Sequence, residues 1–300
     1  MANKQKIILV TGGAGFIDSN LIERLLKSKT NKIISLDNYF TGSKNNHIPG
    51  AEYRKGHTKD IAKHVPETPD IIYHLGEYSR VAASLKEPAL VWDLNINGTF
   101  GVLEFWRKHK CKLVYAGSST KFNKARADGT KGRDLSPYTW AKAVNTEIVR
   151  NYSRWYNLKY ATVYFYNVYG PRERAGQFNG SYGTIIETFK QCYLNNKPCE
   201  VRLPGTQTRA FTHVSDTVEG IILAGEKGAG DDYGICAAKA YSLLDVANMF
   251  GCDIVIKPQT KTSRSSGAGD TSKIEALGWK QKHTLEEYIH KVSKKFREVK

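Results

Sequence analysis

Short apolar runs recur along the first half of the chain, each separated from the next by a stretch with helical spacing. Lys6–Val10 reads as a strand. Phe16–Ser28 reads as a helix because Ile17, Leu21, Ile22, Leu25 and Leu26 fall on one face. Ile33–Asp37, Ile71–Leu75, Lys112–Ala116 and Ala161–Tyr166 are further strand-length runs, and helical spacing fills Leu85–His109 and Tyr138–Tyr156. Continuous apolar strands alternating with amphipathic helices predict an α/β protein whose parallel sheet is covered on both faces. Past about residue 166 the rhythm loosens at Gly170-Pro171, Pro198, Pro204-Gly205 and Gly228–Gly230, and a smaller mixed unit is expected there. Leu285, Ile289, Val292 and Phe296 place an amphipathic helix at the basic C-terminal end.

Composition narrows the class. The 300 residues are 40% hydrophobic and 25% charged, enough for one large domain or two modest ones and unlike a disordered chain. No run approaches the ~20 apolar residues of a membrane helix. The four apolar residues before Gly12 are too few for a signal-peptide core. Cys111, Cys192, Cys199, Cys236 and Cys252 form no CxxC pair, so neither a metal site nor a disulfide framework is expected, and a cytoplasmic location is. The formal charge of +16 points to an anionic partner. Because the basic residues are scattered and no nucleic-acid-binding motif accompanies them, a small anion is favoured over nucleic acid.

One motif supplies such an anion. Thr11-Gly12-Gly13-Ala14-Gly15-Phe16-Ile17-Asp18 follows the first strand and opens the first helix. Glycines there let the backbone approach a pyrophosphate, and the helix start offers its free N–H groups and positive dipole end. Asp37, ending the next strand, is placed to accept from the adenosine ribose and to repel a 2′-phosphate, which selects NAD over NADP. The pattern departs from expectation at Asp18, where a third glycine belongs. Either the loop is remodelled around the acid or cofactor binding is weakened.

Tyr138 and Lys142, four residues apart, share one helix face. Lys142 would stabilise a Tyr138 phenolate able to take a proton from a substrate hydroxyl while hydride leaves the adjacent carbon. Ser118 sits where the strand Lys112–Ala116 ends.

Thr11–Ile17, Tyr138-Thr139-Trp140-Ala141-Lys142 and Tyr166-Asn167-Val168-Tyr169-Gly170-Pro171 resemble the extended short-chain dehydrogenase/reductases, and within them the nucleotide-sugar epimerase/dehydratase group. Ser84–Pro88, Asn95–Thr99, Gln207-Thr208-Arg209 and Leu277-Gly278-Trp279 carry the similarity over nearly the whole chain. The resemblance implies a Rossmann domain over 1–166 that binds NAD. It also implies a nucleotide-sugar domain over most of 167–300, with some segments returning to the Rossmann sheet.

By the same resemblance Ser118, Tyr138 and Lys142 are catalytic, with Lys142 also reaching the nicotinamide ribose. Gly12, Gly15, Phe16, Ile17, Asp37, Asn38, Asp60, Ile61, Leu75 and Gly76 contact NAD, while Ser84, Asn167, Arg209 and Arg264 contact the substrate. It further implies a homodimer paired through the helices near Leu85–His109 and Tyr138–Tyr156.

The reaction is read from an absence in the motif. The group's dehydratases and decarboxylases carry a Glu just after the catalytic hydroxyl residue, whereas Ser118 is followed by Ser119 and Thr120. Without that acid, elimination lacks its acid/base group. Inversion at C4 of a UDP-sugar such as UDP-glucose, UDP-galactose or an N-acetyl analogue is the expected reaction. The alternatives are a 4,6-dehydratase, a decarboxylase or a reductase. Asp18 also motivates a different class, a catalytically weak NAD-binding sensor or scaffold. Further departures are His57-Thr58-Lys59 before Asp60, Gly76-Glu77 in place of two small residues, Ala210 after Arg209, and Phe122 for Tyr.

Overall fold

A computed structural model of the chain describes residues 5–122, 131–174, 183–259 and 269–299. Its centre is a seven-stranded sheet in the order β3-β2-β1-β4-β5-β6-β11. The strands are β1 (Lys6–Thr11), β2 (Asn31–Asp37), β3 (Ala51–Lys55), β4 (Ile71–His74), β5 (Lys112–Ala116), β6 (Tyr160–Phe165) and, after intervening strands described below, β11 (Gly230–Ile235). Every neighbouring pair is parallel. Strand order reverses between β1 and β4, so the two turns that follow them diverge to opposite faces and open a crevice at the carboxyl ends.

The period of two along the strands sorts side chains between two cores. Ile8, Val10, Ile33, Ile71 and Tyr73 pack with Leu21 and Ile22 of helix Phe16–Leu25 and with Val218 and Ile221 of helix Val214–Lys227. Leu9, Ile34, Ile72, Leu113 and Tyr115 face the other way, against Val102, Leu103 and Trp106 of helix Gly98–His109 and Val149 of helix Pro137–Tyr156.

Two elements differ from the apolar pattern. Ala51–Lys55 forms the outer strand β3, where a polar sequence suffices because one edge and much of each face are solvated. The helical stretch expected near Leu85–His109 is built in segments. Helices Val81–Ser84 and Pro88–Val91 lead through a π-helical turn, Trp92–Asn97, into Gly98–His109. Pro88 fits at a helix start, where it has no N–H to leave unpaired. Gly98 is needed where Thr58 crosses, since a Cβ there would stand 2.5 Å from the Thr58 Oγ1.

The remaining strands lie mostly in the second half. They are β7 (Val168–Tyr169), β8 (Cys199–Arg202), β9 (Thr208–Ala210), β10 (Thr212–His213), β12 (Ala240–Ser242) and β13 (Ile254–Lys257), paired as β7–β10, β9–β12 and β8–β13. A third core gathers Phe189 of helix Ile185–Leu194, Val201, Phe211, Val246 and Phe250 of helix Leu243–Phe250, and Leu285 and Ile289 of helix Leu285–Val299. Among the described residues, no helix is long and apolar enough to cross a membrane.

Candidate active site

A cavity of about 590 Å³ runs from the turn after β1, past the ends of β4 and β5, to β9. Along its lining two backbone turns touch. Gly12 has φ +78°, and a Cβ on it would lie 2.6 Å from the Gly76 Cα. Side chains are therefore excluded from both turns, and backbone is left facing the cavity. Gly15, Phe16 and Ile17 continue this lining into the first turn of helix Phe16–Leu25.

Asp37 ends β2 beside this turn. Its Oδ2 accepts from the Ala14 N–H at 2.9 Å and its Oδ1 from the Tyr39 N–H at 2.6 Å. Burial pushes the carboxyl above the ordinary aspartate range, and the two backbone donors pull it part of the way back. Asn38, Leu75, Asn167 and Arg209 also line the cavity. Asn167 sits at φ +39°, a conformation Asn tolerates, and donates to the Ala210 carbonyl at 2.9 Å.

The expected chemical set converges at the middle of the wall. Ser136 caps helix Pro137–Tyr156 by accepting from the Thr139 N–H while Thr139 accepts in return, with Pro137 in the first turn. This start fixes Tyr138 and Lys142 one turn apart. The Tyr138 hydroxyl lies 3.4 Å from the Ser118 Oγ, which also bonds the Thr120 Oγ1 at 2.8 Å. Ser118, Tyr138 and Lys142 are buried and line the cavity.

Lys142 donates to the Ala116 carbonyl at 2.6 Å and forms an ion pair with Glu77. Glu77 accepts further hydrogen bonds from Asn145 Nδ2 and Thr99 Oγ1, both at 2.8 Å, and from the Tyr115 hydroxyl at 3.3 Å. Burial opposes its charge, but Lys142 and these donors outweigh burial and hold the carboxyl below the usual glutamate range. Burial pushes His74 down to about 4. The neutral ring bridges Thr11 at 2.8 Å and Thr99 at 3.0 Å, and Thr11 Oγ1 in turn accepts from the Gly76 N–H. The glycine turns and the Lys142 pair thus belong to one buried network.

Several expected contacts fall elsewhere. In the 3-10 turn Thr58–Asp60, Thr58 faces the cavity while Asp60 turns outward to pair with Lys63 at 2.7 Å. Ile61 points into the core beneath the sheet. Ser84 is fully buried, and its Oγ donates to the Val81 carbonyl at 2.7 Å, so it closes its own helical turn rather than lining the cavity. Arg264 lies outside the described residues. The lining also includes Tyr78, Ser79, Arg80, Arg172, Glu173 and Arg174, which no motif singled out. Tyr78, Ser79 and Arg80 follow β4, and the end of a parallel strand beside a strand-order reversal was the available signal. Burial pushes the Glu173 carboxyl up to about 8.

The donor set fits a dinucleotide. Backbone faces the cavity where a diphosphate must approach closely, a carboxylate ends β2, and Tyr138 and Lys142 stand farther along the same wall. The added acid is Asp18, which lines the cavity with its Oδ1 unpartnered.

Parallel strands in this order, with a glycine turn at the reversal, define a Rossmann-like α/β architecture. The chain belongs to the NAD dependent epimerase/dehydratase family, whose model matches residues 8–236. It is 30% identical to a putative UDP-glucose 4-epimerase of Methanocaldococcus jannaschii, across 95% of this chain and 97% of that protein. It is 28% identical to UDP-glucuronic acid decarboxylase 6 of Arabidopsis thaliana, across 97% and 88%. The UDP-glucose 4-epimerase of Thermotoga maritima, solved with UDP-glucose, superposes with a TM-score of 0.87 at 27% identity, covering 98% of this chain and 99% of that one. The family comprises NAD-dependent nucleotide-sugar epimerases, dehydratases and decarboxylases.

Proposed function

We propose that this protein inverts C4 of a nucleoside diphosphate sugar, UDP-glucose and UDP-galactose or their N-acetyl analogues, through a 4-keto intermediate. The observation that carries the reading is the 3.4 Å approach of the Tyr138 hydroxyl to Ser118 on a wall continuous with the glycine turns. Gly12, Gly15, Phe16, Ile17, Asp37, Asn38, Leu75 and Gly76 hold the dinucleotide, and Asn167 and Arg209 hold the substrate. Arginine suits the latter task because its planar fork pairs with phosphate oxygens. NAD, when bound, supplies a reversible hydride acceptor. Tyr138 takes the C4 hydroxyl proton and later returns it, Ser118 orients that oxygen, and Lys142 lends positive charge to the phenolate.

Two features support inversion over elimination. Ser118 is followed by Ser119 and Thr120 rather than an acid, and Glu77 is engaged by Lys142, Asn145, Thr99 and Tyr115. Incubation with UDP-glucose, UDP-N-acetylglucosamine, UDP-glucuronate and a dTDP-sugar, followed by mass and NMR analysis, tests the reading. The expected product is an isobaric C4 epimer. Loss of water or carbon dioxide would replace the reading with a dehydratase or decarboxylase, and NAD binding without turnover would replace it with a sensor.

The same reading includes a homodimer. Trp92, Phe100, Trp140 and Trp155 are 40%, 57%, 40% and 54% exposed on or beside helices Gly98–His109 and Pro137–Tyr156, an apolar surface suited to a second copy. Light scattering should give twice the chain mass, and a monomer mass would refute the pairing. All five cysteines are free thiols, in keeping with a cytoplasmic setting.

A further inference from the structure

We propose that Asp18 binds the cofactor diphosphate as a neutral carboxylic acid, so that NAD binding draws a proton onto Asp18 wherever the free protein holds it ionised. The inference rests on the NAD reading above.

Asp18 stands in the first turn of helix Phe16–Leu25 and lines the cavity beside Gly12 and Gly15. It is 8% exposed, and its buried Oδ1 has no hydrogen-bond partner. A Cβ on Gly15 would lie 3.0 Å from the Asp18 Oδ2, so the carboxyl occupies the space over the turn. The Oδ1 in that position is left without a partner until a ligand arrives.

The surroundings favour the protonated form. Burial raises the carboxyl well above the aspartate range, and Asp37 at the end of β2 adds to this. Two causes oppose this: a hydrogen bond from the backbone of Asp18 itself and, after it, Lys142, whose ammonium is already paired with Glu77. Arg172 is turned to Asn20 and Glu23 on the same helix, and Glu219 of helix Val214–Lys227 is held by Arg24. Arg80, Glu173, Arg174 and Arg209 line the same cavity.

A diphosphate offers only acceptors. The neutral acid supplies one O–H donor, adding to the N–H groups of the helix start. The ionised acid would set a negative charge against a polyanion in a buried site, where repulsion is weakly screened. A glycine at this place would contribute neither the donor nor the pH dependence. Where the free protein holds Asp18 ionised, the proton comes from solvent on binding and returns to solvent when the ligand leaves; where the acid is already neutral, binding takes up none.

The test is calorimetric titration of the full-length protein, freed of nucleotide, with NAD and with ADP-ribose between about pH 6 and 9. Buffers of differing ionisation enthalpy report the protons taken up. The expected result for both ligands is uptake rising from near zero towards one proton as pH passes the ionisation of Asp18, with affinity falling about tenfold per pH unit above it. Adenosine, which lacks the diphosphate, should bind without either effect. D18N, an amide that donates at every pH, should bind NAD with a flat profile and no uptake. Equal uptake and slope in the wild type and D18N would overturn the proposal. Binding by D18G but not by the wild type at any pH would also overturn it, showing that the acid excludes the diphosphate while NAD remains the ligand. If neither variant nor the wild type binds NAD while circular dichroism shows all three folded, the NAD reading itself falls and takes the proposal with it.

Discussion

Glu77 and Asp18 both bring a carboxyl into the wall of one cavity, at places where the motif leads one to expect a small residue, yet their surroundings are opposite. The Glu77 side chain is fully covered and meets a cation and three further donors. Asp18 is nearly as buried and its Oδ1 meets none. The same chemical group is therefore held charged in one place and driven towards the neutral form in the other. Partners, not burial, decide which. The difference also divides their roles. Glu77 fastens Lys142 to the loop after β4 and so belongs to the architecture of the chemical set, whereas Asp18 is left open towards a ligand.

The largest effect should come from breaking the partnered side. Glu77→Ala leaves the Lys142 ammonium buried beside Asn145 and Thr99 with no anion, and removal of one member of a buried pair costs about 3–5 kcal/mol. Urea unfolding at neutral pH should show that loss, and a change under about 1 kcal/mol would mean that water or movement of Lys142 replaces the pair. Asn145→Ala removes one donor to Glu77 and the bond from Asn145 to the Asn95 carbonyl at 2.9 Å. It should cost about 1–3 kcal/mol, since a lost buried hydrogen bond leaves its acceptors unpaired.

The two acids should also show opposite pH dependence. The folded-state value of Glu77 is depressed, so its stabilisation is present above the unfolded value near 4.5 and is lost as pH falls through the lower folded value. That of Asp18 is raised, so its contribution is full below the unfolded value near 3.8 and is lost as pH rises through the folded value. Unfolding free energies measured across pH should therefore carry a decline as pH rises above about 4 in the wild type, and less of one in Asp18→Asn. The smallest effect is expected for Asp18→Asn at about pH 4, where both side chains are neutral and stability should agree within about 1 kcal/mol. A Tm lowered equally at every pH would remove the contrast between the two acids.

The sheet interior was legible because β1, β2, β4, β5 and β6 are apolar runs between helical stretches. The edge strand β3 was not, because its neighbours cover only one side of it and its sequence is largely polar. The glycine turn, Asp37, Ser118, Tyr138, Lys142, Asn167 and Arg209 all line one cavity, since each sits at an element end that the motifs fix. Asp60 and Ile61 depart because a 3-10 turn rotates Thr58 inward in their stead, and Ser84 because its hydroxyl satisfies its own helix. Sequence marked Glu77 as an oddity but could not name its partner, since Lys142 lies on a helix 65 residues farther on. The +16 charge likewise found only part of its place, in Arg80, Arg172, Arg174 and Arg209 along the cavity.

The central claim is that Ser118, Tyr138 and Lys142 carry a reversible oxidation at C4 with no elimination. UDP-glucose bearing deuterium at C4, incubated with the protein and followed by NMR, tests it most directly. The account predicts that both C4 epimers form and that each keeps the label at C4. Label arriving at C6 with loss of water, or washing out to solvent, would contradict it.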